Sequence, residues 1–139
     1  MSHAVGVAYD WLYPVLSETD RVTIQNGLIQ HGLEPGLKAY AGTESYGWWV
    51  KCDHNWNQVC NAGLIVGALA IAETHPQYAQ QIIPQAVESL PRALKMYGPD
   101  GAWAEGPGYW GYATRYTMFG FAALDTALGT DFDLLKIEG

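Results

Sequence analysis

Apolar and polar positions along the chain follow a helical period almost throughout. The pattern predicts a first helix near Ala4 to Leu16, after which Ser17 offers an N-cap with an acidic residue three positions later. Helical spacing resumes from Val22 to Tyr40, where Pro35 predicts a kink. Since no run alternates with period two, an all-α fold is expected.

The centre of the chain predicts a helix surrounded by other helices. It extends from about Asn57 to Glu73 and is apolar nearly all round, which is typical of a buried helix. Thr74 is predicted as the next N-cap. The segment that follows continues to Tyr97, with bends expected at Pro84 and Pro91.

A last helix is predicted from about Trp110 to Leu128, ending at Gly129. Two long loops remain, Gly42 to Trp56 and Gly98 to Tyr109. One outgoing and one returning helix separate them, so both loops are expected at the same end of a bundle. The pattern therefore predicts a single helical domain over residues 1–139, with five or six antiparallel helices.

Composition limits the possible partners. The net charge is -7 and the seven basic residues are scattered, which argues against a nucleic-acid partner. The longest apolar stretch, residues 62–72, is shorter than the roughly 20 residues that cross a bilayer, and no signal peptide is evident, so no membrane partner is predicted. Cys52 and Cys60 lack zinc-site spacing, and neither a metal nor a cofactor is predicted.

Most of the tryptophans belong to the two loops or their edges. These are Trp48, Trp49, Trp56, Trp103 and Trp110. Aromatic rings gathered at one end of a bundle provide stacking faces for sugar rings, whose C–H bonds are apolar. The alternative is that the rings only cover the core.

Several stretches of the sequence together resemble one enzyme family. They are AVGVAYDWLYPVLSETDR, HNWNQVCNAGLIVGALAIAE, SLPRALKMYGPDGAWAEGPGYWGYATRY and ALGTDF. They resemble the helical toroid domain of the heparinase II/III-like polysaccharide lyases, and the resemblance covers most of the chain. Members of that family pair an (α/α) toroid with a β-sandwich domain and cleave uronic-acid polysaccharides by β-elimination.

The resemblance implies that this chain is an incomplete (α/α) toroid from a larger lyase-like protein. It implies an acidic polysaccharide as partner, a missing C-terminal β-sandwich domain that supplies a further catalytic His and sometimes a metal site, and a periplasmic or secreted location. A fragment of this kind is expected to be inactive alone. An incomplete toroid also exposes apolar faces, so association into a homo-oligomer is expected.

β-Elimination requires two kinds of side chain. A Tyr removes the C5 proton of the uronate and protonates the leaving oxygen, and it needs surroundings that favour the phenolate. The EGPGY motif matches the family's Tyr to Tyr109, with Tyr112 in reserve. Helical spacing leaves these two and Tyr116 on one face.

The second requirement is a donor that neutralises the uronate carboxylate. The family's amide matches Asn55, with Asn57 as the alternative; some relatives have Asn followed by His, whereas here His54 precedes Asn55. A structural interpretation makes Asn55 an N-cap, with Gln58 completing a capping box, and both roles are compatible because helix N-termini favour anions. Substrate binding is assigned to His54, Trp56, Asn57, Trp103, Trp110 and Arg115.

Two other functions remain open. Asp53 and Glu105 are candidates for the paired carboxylates of an α/α-toroid glycoside hydrolase. Glu105 is also expected to hold the EGPGY loop by accepting backbone hydrogen bonds. The last alternative is a non-catalytic helical module that binds carbohydrate through its tryptophans or supports a neighbouring domain.

Overall fold

The computed structural model describes residues 1–138, and this part of the chain is helical without a strand. Helix accounts for 77% of the structure, which confirms the all-α prediction. The α-helices are α1 Ser2–Leu12, α2 Glu18–Leu28, α3 Glu34–Tyr40, α4 Asn55–Ala70, α5 Pro76–Ser89, α6 Pro91–Leu94 and α7 Pro107–Leu128. Short 3₁₀ turns occupy Tyr13–Val15, Ser45–Lys51, Lys95–Tyr97 and Leu134–Lys136.

The irregularity expected at Pro35 lies a few residues earlier. A π-helical turn, Ile29–Leu33, joins α2 to α3, and the Glu34 N–H donates to the Ile29 carbonyl across it. Pro35 itself sits in the first turn of α3, where a missing N–H is tolerated. The two helices therefore continue one another instead of meeting at a proline kink.

Two of the predicted helix ends are confirmed and one is wrong. Ser17 caps α2, since its hydroxyl accepts the Asp20 N–H at 3.2 Å. Gly129 ends α7 in the left-handed conformation with φ 70°. Thr74 does not cap α5, because its hydroxyl accepts a hydrogen bond from Gln25 and donates to the Ile71 carbonyl; His75 takes the N-cap position.

Helix α4 lies at the centre of the fold, as its apolar composition predicts. Eleven of its 16 residues are buried, and it packs against α1, α5 and α7. Glycines allow the close approach: a Cβ on Gly6 of α1 would lie 3.1 Å from the Gly67 Cα, and a Cβ on Gly120 of α7 would lie 2.9 Å from the Ala62 Cβ.

Three helices run in the same direction. Along α4, Gly63 lies beside His3 and Gly67 lies beside Gly6, so α1 is parallel to α4. Hydrogen bonding of Gln58 to Thr117 and the packing of Gly120 on α4 show that α7 is parallel to it as well. The N-terminal ends of α1, α4 and α7 therefore share one end of the molecule.

The intervening helices return in the opposite direction. Gly36 at the start of α3 packs on Leu64, whereas Gln25, earlier in the chain, reaches Thr74 beyond the end of α4. Similarly, Ser89 at the end of α5 contacts Asn57 in the first turn of α4. Parallel helices thus alternate with antiparallel ones.

No helix within residues 1–138 combines the length and apolar character needed to cross a bilayer.

Candidate functional site

The two long loops meet at the N-terminal ends of α4 and α7, as their spacing predicts. Glu105 makes the connection. Its carboxylate accepts the Asn55 backbone N–H at 2.9 Å and the Asn55 side-chain amide at 2.6 Å. The indole N–H of Trp103 donates to the same carboxylate at 3.0 Å. Glu105 was expected to hold the EGPGY loop by accepting backbone hydrogen bonds; it accepts one, and the donor is Asn55 at the start of α4.

The first turn of α4 is capped by a residue that is distant in the sequence. His54 holds the N-cap position without a side-chain cap, and Asn55 is the first helical residue, so the interpretation of Asn55 as the N-cap is wrong. Glu105 supplies the acceptor that a local side chain would otherwise provide. Gln58 does not complete a capping box, because its side chain is buried and points into the core.

The Glu105 carboxylate is held in its charged form. Burial alone would raise the pKa of Glu105, but the hydrogen bonds from Asn55 and Trp103 and the nearby His54 outweigh it and lower that pKa. Three donors therefore converge on an ionised group at the start of α4, where the helix dipole also favours a negative charge.

Buried amides in α4 form a polar network inside the apolar core. Asn57 is fully buried, and its amide nitrogen donates to the carbonyls of Trp49 and Val50 at 3.2 Å and to the Ser89 hydroxyl at 2.9 Å. These contacts fasten the Ser45–Lys51 turn to α4 and α5. The structure therefore places Asn57, which the sequence assigned to substrate binding, inside the protein with its amide hydrogens donated to protein groups.

Gln58 extends the network toward α7. Its amide nitrogen donates to the Tyr97 hydroxyl at 3.1 Å and to the Thr117 hydroxyl at 2.9 Å. Asn61 accepts a hydrogen bond from the Tyr40 hydroxyl at 2.7 Å. No local motif predicted this network, although three amides within five positions of an apolar helix are the signal that could have indicated it.

A cavity of about 400 Å³ opens at the same end of the molecule. Residues from the first turn of α1, from α4 up to Leu64, from the α7 helix and from the Ser45–Lys51 turn surround it, together with His31 and Pro35. Its aromatic and reactive lining consists of His3, His31, Tyr46, Trp49, Trp56, Cys60, Tyr112 and Tyr116. The volume falls within the range of about 300–1,000 Å³ found for small-molecule sites.

Two of the residues that the sequence assigned to catalysis or substrate binding line the cavity. Trp56 is 50% exposed and Tyr112 is 42% exposed, and both line it. Tyr109 does not, but its ring lies beside that of Tyr112 with centroids 6.3 Å apart. Tyr112 in turn packs on Tyr116 with centroids 5.1 Å apart, so the three tyrosines share one face of α7 as predicted.

The other predicted tryptophans lie elsewhere. Trp103 is only 8% exposed and packs on Tyr97 in the core, so it presents no stacking face. Trp110 donates to the Gly101 carbonyl at 2.9 Å and lines a separate cavity with Met118 on α7. The structure therefore does not bring Trp103 and Trp110 together with Trp56, because the loop buries one ring and α7 directs the other to a different cavity.

The remaining predicted site residues, His54, Arg115 and Asn55, do not line the cavity. The ring of His54 is 5.8 Å from that of Trp48, next to the cavity. Arg115 is exposed on α7 and makes no ion pair within residues 1–138. Asn55 is buried and does not line the cavity.

His3 lies outside both motifs and was not among the site residues predicted from the sequence, yet it lines the cavity. Its ring sits 5.0 Å from Tyr116 and 5.1 Å from Phe119, joining α1 to α7 at the cavity. Burial lowers the pKa of His3, so its imidazole is neutral at pH 7.

Burial has the opposite effect on two acidic side chains of the cavity, Cys60 and Tyr112, because it raises their pKa values and keeps them protonated. It raises the pKa of the Cys60 thiol to about 12, so this group is a poor nucleophile. The pKa of Tyr112 is raised as well, first by burial and then by its neighbour Tyr116. The free chain therefore holds Tyr112 as a neutral phenol.

Comparison with known proteins does not name a relative: no protein-family model matches the chain, and no curated protein matches it. Within the described residues, no group of three or more His, Cys, Asp or Glu side chains is arranged to hold a metal ion.

Proposed function

We propose that this chain is the helical part of a lyase-like protein that binds a uronic-acid polysaccharide in the aromatic cavity. The observation that carries the proposal is the cavity itself, which opens where the HNWNQ and EGPGYWGY segments meet and is lined by Trp56 and Tyr112. Aromatic faces suit the apolar C–H surfaces of sugar rings, and adjacent hydroxyl and imidazole groups suit their polar edges.

The helix arrangement supports a partial toroid as the fold. In a ring of helical hairpins, inner helices run parallel and each connecting helix returns antiparallel. The parallel set α1, α4 and α7, with α2–α3 and α5 returning between them, has this alternation. We infer that further hairpins and a β-sandwich domain complete the protein.

Tyr112 is the better candidate than Tyr109 for the phenol of β-elimination, since it lines the cavity and Tyr109 does not. Its raised pKa keeps the phenol protonated, which suits donation of a proton to the leaving oxygen. Removal of the C5 proton requires a phenolate, and therefore an additional positive group near Tyr112. The proposed source is the β-sandwich domain.

Asn55 has little donor capacity left for a substrate carboxylate. Its amide nitrogen carries two hydrogens, and one of them is donated to Glu105 at 2.6 Å. Its burial further limits access. Neutralisation of the carboxylate by Asn55 would thus depend on its one remaining N–H or on displacement of Glu105.

These two observations favour a second candidate, a non-catalytic carbohydrate-binding module. A chain in which the Asn55 amide donates to Glu105 and the Tyr112 phenol is neutral can bind a sugar without transforming it. The hydrolase alternative has less support, because a catalytic acid needs a raised pKa and the pKa of Glu105 is lowered.

A single assay distinguishes the three functions. The full-length protein and the 139-residue chain are incubated with a panel of uronic-acid polymers. A product carrying the 4,5-unsaturated uronate, detected by its ultraviolet absorbance, supports the lyase; new reducing ends without that chromophore support the hydrolase. Binding without product, observed by calorimetry, supports the module. If the protein neither binds any polymer of the panel nor forms a product from it, the proposal is refuted.

The matched variants are Trp56→Ala and Trp11→Ala. Both remove an exposed tryptophan, but Trp56 lines the cavity whereas Trp11 lies at the far end of α1. Binding should be lost in the first variant and retained in the second. Equal loss in both would point to nonspecific adhesion.

A further inference from the structure

We propose that Trp48 and Trp56 form a second sugar subsite continuous with the cavity, so that the protein binds at least two adjacent units of a uronic-acid chain. This inference rests on the proposed function of the cavity. Trp56 belongs to both places: it lines the cavity, and its ring lies 5.7 Å from that of Trp48 at an interplanar angle of 63°. We call this pair the tryptophan shelf.

The shelf presents aromatic surface that the protein itself does not cover. Each of the two tryptophans is 50% exposed, although removing the apolar surface of a large ring from water is favourable. The inclined rings form a corner instead of a flat patch. A pyranose ring leaving the cavity along Trp56 would place its C–H face against the Trp48 ring.

The backbone beneath Trp48 is fixed before any ligand arrives. Trp48 belongs to the Ser45–Lys51 turn, and the side chain of the following residue, Trp49, is buried. The carbonyls of Trp49 and Val50 both accept hydrogen bonds from the Asn57 amide. A rigid platform of this kind loses little conformational entropy on binding, which favours a specific subsite.

Polar groups suited to an acidic sugar flank the shelf. The His54 ring is 5.8 Å from Trp48, and Lys51 is exposed at the end of the same turn. Asp53, also exposed and two positions after Lys51 in the sequence, carries the opposite charge. An imidazole and an ammonium beside an aromatic corner match a ring that carries both a C–H face and a carboxylate.

Chain length of the ligand provides the test. Calorimetry measures the Kd of the 139-residue chain for unsulfated disaccharides and tetrasaccharides of galacturonic, glucuronic and mannuronic acid. We expect the preferred tetrasaccharide to bind about tenfold tighter than its disaccharide. Trp48→Ala should abolish this gain while leaving the disaccharide Kd within about twofold. Trp48→Phe, which keeps a ring, should retain part of the gain.

The outcomes separate this inference from the proposed function. If the wild-type chain binds both lengths equally, or if Trp48→Ala weakens both equally, the second subsite is refuted while the cavity remains a binding site. If no oligosaccharide of either length binds, both proposals fail. Trp11→Ala is the control for loss of an exposed indole, and the thermal unfolding of each variant establishes that it is folded.

Discussion

Glu105 accepts two hydrogen bonds from Asn55, one from the backbone N–H and one from the side-chain amide. The two residues are 50 positions apart in the sequence and belong to the two motifs that carry the family resemblance. Their contact caps α4 and brings the loop before α7 against the cavity end of the fold. It also fixes the orientation of the amide that the resemblance assigns to the substrate.

Replacing Glu105 should therefore destabilise the fold. In Glu105→Ala the Asn55 N–H and the Trp103 indole lose their acceptor, and the free energy of unfolding should fall by about 1 kcal/mol, as expected for loss of a helix cap. Urea unfolding measures the change. Glu88→Ala, on the exposed face of α5, is the control and should change stability by less than about 0.5 kcal/mol.

The Glu105 contact should also make stability depend on pH. Its folded pKa lies below the ordinary value of 4.5, so its contribution is fully present above that pH and is lost as pH falls through the folded pKa. Comparing the unfolding free energies of wild type and Glu105→Gln across pH isolates the effect. Their difference should be constant above about pH 5 and should shrink below it. A difference that grew on acidification would contradict the assignment.

Tyr112 and Tyr109 should differ in their effect on turnover. If the full-length protein is a lyase, Tyr112→Phe should reduce kcat by about 10²- to 10⁴-fold because it removes the proton-transferring hydroxyl from the cavity. Tyr109→Phe should change kcat by less than about tenfold. Initial rates followed by ultraviolet absorbance make the comparison, and the reverse order would assign the role to Tyr109.

Asn57 should be essential to the turn that carries Trp48. Asn57→Ala removes the amide that donates to the carbonyls of Trp49 and Val50, which keep only the Cys52 N–H and the Ser89 hydroxyl as donors. It also opens a cavity in the core, so the free energy of unfolding should fall by about 2 kcal/mol. Hydrogen exchange in residues 45–51 should accelerate. Asn26→Ala, at an exposed position of α2, should leave both measurements unchanged.

Two glycines should respond in opposite ways to alanine. A Cβ on Gly47 would lie 2.8 Å from the Ala39 carbonyl oxygen, so Gly47→Ala should cost about 1–3 kcal/mol. Around Gly27 in α2, nothing lies within 4 Å of an added Cβ, and Gly27→Ala should stabilise by about 0.5–1 kcal/mol. Thermal or urea unfolding of both variants tests the close approach of the turn to α3.

The helices could be predicted from the sequence because each depends on local periodicity and on its ends. Ser17 and Gly129 mark helix ends through their own backbone and side-chain chemistry. The cap of α4 could not be predicted in this way. It comes from Glu105, and a carboxylate 50 positions away leaves no local signal at Asn55.

The sequence predicted where the candidate site lies but not all of the residues that line it. Spacing along the chain indicated that both loops meet, and Trp56 and Tyr112 do line the cavity. Burial of Trp103 and the inward direction of Asn57 depend on packing partners from other helices, and no local pattern encodes them. His3 enters the cavity only because α1 packs parallel to α4.

The parallel packing of α4 and α7 has an electrostatic consequence. Peptide dipoles aligned in the same direction repel one another side by side, and each helix places about half a positive charge at its first turn. Glu105 accepts hydrogen bonds at the start of α4 and immediately precedes Gly106, the N-cap of α7. One anion thus screens the like poles of two neighbouring helices, and any ligand that displaces it must bring a negative charge of its own.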